Sequence, residues 1–182
     1  MKVWLTAFVC ASLAACAGVS RINHFDYNGY SSSTAYFAAP KGEMVLAVYG
    51  SPVADNPGDL PKAIADAMRG THVDVQTVFV PTTEPDLMGY RTVVVFGHST
   101  PESVCSVKDA DGIANSSLTA MTAAFCLGKE VLSYVSGAVP AIATVDDPIL
   151  AAHMSLVGLT LFPDENPHHT SDCGGNTPIC GD

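Results

Sequence analysis

The apolar residues of this chain are grouped in short runs, and their spacing indicates which element each run forms. Five runs predict strands, over residues 44–49, 73–80, 90–96, 118–126 and 130–135. The first is bounded by Gly42 and Gly50 and is apolar at nearly every position, as in a strand buried on both faces. The last two are separated by Leu127–Lys129, a spacing that favours a hairpin of two strands over a helix.

Two other segments predict helices. Residues 60–69 place apolar side chains on one stripe, with Asp59 positioned to cap the start and Gly70 to end the helix. Asp147 can cap a second helix over residues 148–162, which has proline at its first position. Because this second helix is apolar nearly all round, we expect it to be well buried.

This order of elements predicts an α+β fold, a two-layer sandwich with two helices on one face of a four- or five-stranded, mostly antiparallel sheet. The domain is expected over residues 43–167, followed by a disulfide-looped tail over residues 168–182. His153, alone on the apolar second helix, is expected to be a packed, hydrogen-bonded core residue. That helix is too short to cross a bilayer, which takes about 20 apolar residues.

The N-terminal residues have the layout of a bacterial lipoprotein signal peptide. One positive charge at Lys2 precedes an apolar run that ends in Leu13–Ala15, and Cys16 follows. Leu-Ala-Ala-Cys resembles a lipobox, which implies removal of residues 1–15, a diacylglyceryl group on the Cys16 thiol and an acylated new amino terminus. An ordinary signal peptide cut near Ala15 and an uncleaved anchor are the alternatives.

Two or more acyl chains hold a protein stably at a membrane, so we expect the mature protein to be anchored to the membrane rather than to span it. Ala17 stands where aspartate would favour inner-membrane retention, so the outer membrane, on its periplasmic side, is the expected location. Residues 16–42 are predicted to be a lipidated, flexible tether, because Ser, Asn, Gly and Ala dominate them. Their aromatic rings either fold back onto the domain or lie near the lipid headgroups; they are Phe25, Tyr27, Tyr30, Tyr36 and Phe37.

Charge limits the classes of partner. Removal of residues 1–15 takes away Lys2 and leaves seven basic against 18 acidic residues, a formal net charge of −11. A surface of this sign is not suited to a nucleic-acid backbone or to anionic lipids. Apart from the membrane that holds its anchor, the expected partner is therefore an envelope protein or a cell-wall component.

Four cysteines remain besides Cys16, and an exported chain with an even number is expected to form disulfides. Three pairings are possible, and the local pairs Cys105–Cys126 and Cys173–Cys180 are preferred. Metal binding by His168 and His169 is a weaker candidate, because adjacent histidines seldom bind one ion and the tail cysteines are widely spaced for zinc. The sequence gives no reason to expect a cofactor.

The segment 97–117 is rich in Gly, Pro, Ser and Asp and is the candidate functional loop. His98 and Ser99 follow the strongest strand, where a nucleophile elbow would lie, but the Gly-x-Ser-x-Gly pattern is incomplete. Asp109 and Asp111 suggest a calcium loop, but the neighbouring residues do not match an EF-hand. No catalytic residue is therefore assigned.

A similarity to other proteins lies in seven short pieces of sequence: Val48–Pro52, Ala67–Met68, Tyr90–Phe96, Cys105, Ala124–Cys126, Leu132–Ser133 and Leu161–Pro163. Through these pieces the chain resembles a group of small, functionally uncharacterised lipoproteins of alphaproteobacteria over residues 44–167. The resemblance implies neither an activity nor catalytic residues.

The sequence thus favours a non-catalytic, lipid-anchored envelope protein that acts as a periplasmic binding or assembly module. An envelope hydrolase that uses the 97–117 segment, and metal handling by the tail, are the alternatives.

Overall fold

A computed structural model describes residues 20–53, 58–71, 77–97, 100–107 and 118–168 of the chain. No helix in these ranges is both long and apolar enough to cross a membrane. Several sequence predictions lie outside the described residues: the signal peptide and those on Cys16, His98, Ser99, Asp109, Asp111, His169, Cys173 and Cys180.

The described residues form an α+β fold around one mixed sheet. Its elements are β1 (Arg21–Asp26), α1 (Ser32–Ala38), β2 (Glu43–Tyr49), α2 (Leu60–Met68), β3 (Val78–Pro81), β4 (Tyr90–Phe96), α3 (Pro101–Val104), β5 (Leu118–Leu127), β6 (Glu130–Pro140) and α4 (Pro148–Leu161). The strands lie in the order β1-β6-β5-β4-β2-β3. β2 is parallel to both of its neighbours, whereas β1, β6, β5 and β4 pair antiparallel. The α+β class is confirmed, but the prediction of four or five mostly antiparallel strands with two helices was wrong in detail.

The main difference lies in the predicted tether, because β1 and α1 are part of the fold. β1 pairs with β6 from Arg21 to Asp26, and Tyr27 and Tyr30, which follow β1 in the chain, are buried. The sequence of β1 contains only two large apolar residues, Ile22 and Phe25, so it lacks the apolar run that identifies a strand. β1 forms because β6 offers an unpaired edge for it to join, and this edge exists only in the folded sheet. The local sequence of β1 therefore does not reveal the strand.

The two faces of the sheet bury different sets of side chains, as the alternation along β4 shows. Val94 and Phe96 join the larger core, which also contains the inward side chains of α2 and α4. Val93 and Val95 point the other way and pack with Val104 of α3 in a smaller cluster. We call these surfaces the helix face and the disulfide face, since Cys105 and Cys126 belong to the second.

The predicted helix caps are confirmed. The side chain of Asp59 accepts from the backbone N–H of Lys62 at 3.2 Å, and that of Asp147 accepts from the N–H of Ile149 at 2.8 Å. Gly70 has φ of 69°, the left-handed conformation that ends a helix.

The expectation that α4 is well buried is confirmed only for the side of the helix that packs on the sheet. Its outer side exposes three large apolar residues, Ile149, Leu156 and Leu159. The sheet covers only one side of the helix, so an apolar sequence does not by itself bury the other.

Candidate functional site

The described residues contain the base of the 97–117 segment, which begins where β4 ends. Gly97 has φ of 113°, and its N–H donates to the carbonyl oxygen of Ala120 at 2.8 Å. Thr100 and Ser103 exchange hydrogen bonds across the first turn of α3. The segment predicted to be a long loop therefore contains a short helix, and its entry is fixed to β5.

A disulfide holds α3 to the sheet. Cys105 and Cys126 are bonded, with their Cα atoms 5.8 Å apart and both residues buried. The pairing agrees with the local pairing favoured by the sequence. A cross-link over 21 residues removes denatured-state freedom worth about 3 kcal/mol.

Besides the disulfide, Arg91 also holds the end of α3 against the sheet. Its side chain lies on the disulfide face, and the residue is only 1% exposed. One terminal nitrogen donates to the carbonyl oxygens of Cys105 at 2.6 Å and Gly128 at 2.8 Å. The other donates to those of Asp86 at 3.2 Å and Gly89 at 3.3 Å. Burial lowers the pKa of this guanidinium, and four carbonyl dipoles compensate for its lost hydration.

Arg91 therefore connects the end of α3, the β5–β6 turn and the segment before β4. Because its donors are occupied by backbone oxygens, the geometry assigns it a structural role and not that of an anion ligand. It was missed in the sequence, although one signal was present: it is the only charged residue of a strand that is otherwise largely apolar.

His168, a weak metal candidate in the sequence, instead joins the two ends of the described chain. Its Nδ1 lies 3.1 Å from a carboxylate oxygen of Asp26, and its ring meets that of Tyr27 edge-on. Nearby, the side-chain amide of Asn166 donates to the carbonyl oxygens of Tyr27 at 3.0 Å and Tyr30 at 2.9 Å. Residues 164–168 thus belong to the folded domain and hold the chain that leaves β1.

The part of the chain that the structure describes holds no group of three or more His, Cys, Asp or Glu side chains that could bind a metal. His168 and Asp26 form only a pair, and His169 lies outside the described residues.

The buried histidine of α4 differs from its prediction in one respect. His153 is 1% exposed, as expected of a core residue, but neither ring nitrogen has a hydrogen-bond partner among the described residues. Burial lowers the pKa of its imidazole to about 4. The side chain is therefore neutral near pH 7, and no polar group in the described part of the chain compensates for its two buried nitrogens.

Two of the five aromatic rings near the N-terminus fold back onto the domain, which was one of the two alternatives that the sequence left open. Tyr27 and Tyr30 fold back, and their hydroxyls donate to the carbonyl oxygens of Thr160 and Pro163, both at 2.7 Å. The other three rings remain exposed: Phe25, Tyr36 and Phe37.

The chain matches no model of a known protein family and no curated protein. Among solved structures it is similar to a PelC variant from Paraburkholderia phytofirmans, described as a dodecamer, at 9% sequence identity and a TM-score of 0.40. The match covers 79% of this chain and 96% of that one. A similarity this low carries no argument about the function of this chain.

Proposed function

We propose that this protein is a bacterial lipoprotein held by acylated Cys16 at the periplasmic side of the outer membrane, where it acts as a non-catalytic binding or assembly module. The Leu13–Cys16 lipobox carries the proposal. The Cys105–Cys126 disulfide supports it, because disulfides form in oxidising compartments such as the bacterial periplasm.

The surface that meets the partner is proposed to be the one around α3. The disulfide and Arg91 together fix the end of this helix against the sheet. A fixed base limits the conformational entropy lost when a segment binds, and so favours recognition by residues built upon it. Glu102 and Ser106 are exposed there.

The first experiment tests the anchor. The mass of the N-terminal peptide of the mature protein should correspond to residues starting at Cys16 plus a diacylglyceryl group and an acyl chain. Cys16→Ser should remain unprocessed by the lipoprotein pathway. A mature chain that starts elsewhere, or an unmodified Cys16, contradicts the proposal.

The second experiment tests the surface. A photo-cross-linking residue is placed at Ser106, with Lys62 as the matched control, because its side chain is 64% exposed on α2, on the opposite face of the sheet. In intact envelopes the Ser106 probe should give a discrete adduct of defined mass and the Lys62 probe should not. Equal labelling from the two positions would argue against recognition at α3.

A further inference from the structure

The distance between the anchor and the fold is far shorter than the sequence suggested. β1 begins at Arg21, so only residues 17–20 separate it from Cys16. A fully extended chain covers about 3.4 Å per residue, so the Cα atoms of Cys16 and Arg21 lie at most about 17 Å apart. That is less than twice the roughly 10 Å diameter of one helix. If Cys16 is acylated, the sheet edge at β1 is held next to the lipid surface.

Beside this edge, exposed apolar side chains lie on the helix face. Phe25 pairs with Val135, which belongs to the core under α4, so the Phe25 ring lies on the same face as that helix. The chain that leaves β1 is in direct contact with α4, since the hydroxyl of Tyr27 donates to the carbonyl oxygen of Thr160.

The outer side of α4 is apolar as well. Leu156 and Leu159 are 49% and 50% exposed, and Ile149 is also exposed. These positions follow a spacing of seven and three residues, which places them on one side of a helix. Between Asp147 and Asp164 the chain carries no Lys, Arg, Asp or Glu. We define the apolar face as Phe25, Ile149, Leu156 and Leu159.

We propose that the apolar face rests on the bilayer that holds the lipid anchor, so that the domain lies with α4 against the membrane. This inference rests on the proposed acylation of Cys16. The contact must be apolar, because a mature chain of net charge −11 is not attracted to anionic lipid. The partner it fits is therefore the interfacial region of a zwitterionic phospholipid surface. Apolar side chains of such interfacial helices enter about 5–10 Å into the headgroup region.

The chain offers a clean probe of this orientation. Its single tryptophan is Trp4, which is removed with the signal peptide, so a tryptophan introduced into the mature protein is the only one present. Leu156→Trp places it on the apolar face, and Met88→Trp places it at an exposed position outside that face. Both proteins are purified in acylated form and reconstituted in phosphatidylcholine vesicles with and without dibrominated chains.

Insertion to about 5–10 Å should shift the Leu156→Trp emission to the blue and lower it about twofold in brominated vesicles. The Met88→Trp emission should not change, and 0.5 M salt should have no effect on either. Leu156→Trp emission as solvent-exposed as that of Met88→Trp would overturn the inference. So would shielding without bromine quenching, which would show that a second copy or another protein covers the face.

The acylation state of each sample is read separately, from the mass of the N-terminal peptide. A chain without acyl groups refutes the proposed function and, with it, this inference. An acylated chain whose Leu156→Trp probe is not quenched refutes the orientation alone.

Discussion

The buried histidine makes the stability of this protein depend on pH in a way that one substitution can isolate. His153 has a pKa of about 4 in the folded chain, against about 6.5 when exposed. Between these values the unfolded chain binds a proton that the folded chain does not, so acid favours unfolding. The contribution of neutral His153 is complete above pH 6.5 and is lost as the pH falls towards 4.

The size of the effect follows from the two pKa values. Linkage gives a loss of about 2 kcal/mol at pH 5 and about 3 kcal/mol at pH 4, relative to neutral pH. His153→Leu removes the titrating group and also the two ring nitrogens that lack partners among the described residues. At pH 7.5 we expect the stability of this variant to be within about 1 kcal/mol of that of the wild type. Leucine packs less well in a space shaped for histidine, but its side chain has no buried nitrogen atoms, and these two effects offset each other.

The measurement is urea denaturation followed by circular dichroism at pH 7.5, 5 and 4. The wild type should lose stability towards pH 4 faster than His153→Leu, with the difference growing by about 3 kcal/mol over this range. His24→Gln, at an exposed position, is the matched control and should follow the wild type. Parallel curves for wild type and His153→Leu would show that the histidine is not buried in its neutral form.

Three further substitutions test the junctions of the fold. Arg91→Met should lower the free energy of unfolding by about 3 kcal/mol, because it leaves four backbone carbonyls without their donor. Arg91→Lys should recover only part of this loss. Urea denaturation measures both variants, and unchanged stability of Arg91→Met would refute the structural role of Arg91. Gly137→Ala should speed hydrogen exchange in β1 and not in β4, since the added Cβ would overlap the carbonyl oxygen of Arg21; equal protection of β1 in variant and wild type would contradict the observed strand pairing. Replacing Cys105 and Cys126 together by serine should cost about 3 kcal/mol in urea denaturation, and a loss well below 1 kcal/mol would mean that other contacts hold α3 in place.

Elements with a strong local signal were predictable from the sequence. β4 has the bounds that its apolar run predicted, Tyr90–Phe96, and the β5–β6 hairpin follows the turn at Gly128. Both long helices start at the predicted aspartate caps. In each case the deciding interactions lie within a few residues of one another, so the pattern along the chain contains them.

Features that depend on distant parts of the chain were not predictable. β1 exists because β6 offers an edge, and the parallel direction of β2 depends on how α2 leads the chain to β3. Arg91 was passed over because its four acceptors are spread from Asp86 to Gly128. The weak candidates of the 97–117 loop lie outside the described residues and stay untested: His98, Ser99, Asp109 and Asp111.

The position of β1 changes what an N-terminal anchor would do to this domain. A long flexible tether would let the domain turn freely, so no particular surface would face the membrane. Here the chain enters an edge strand that pairs with β6, and the residues that follow this strand are fixed as well. The hydroxyls of Tyr27 and Tyr30 donate to the chain at and just after the end of α4, and Asn166 donates to the backbone of both tyrosines. A connection of four residues to such a strand limits rotation as well as distance. The same short connection would hold the apolar face near the membrane at all times, which lowers the entropic cost of its contact with lipid. Orientation by a weak apolar surface is therefore physically reasonable for this chain, because the anchor would supply most of the affinity and the face would only select the direction.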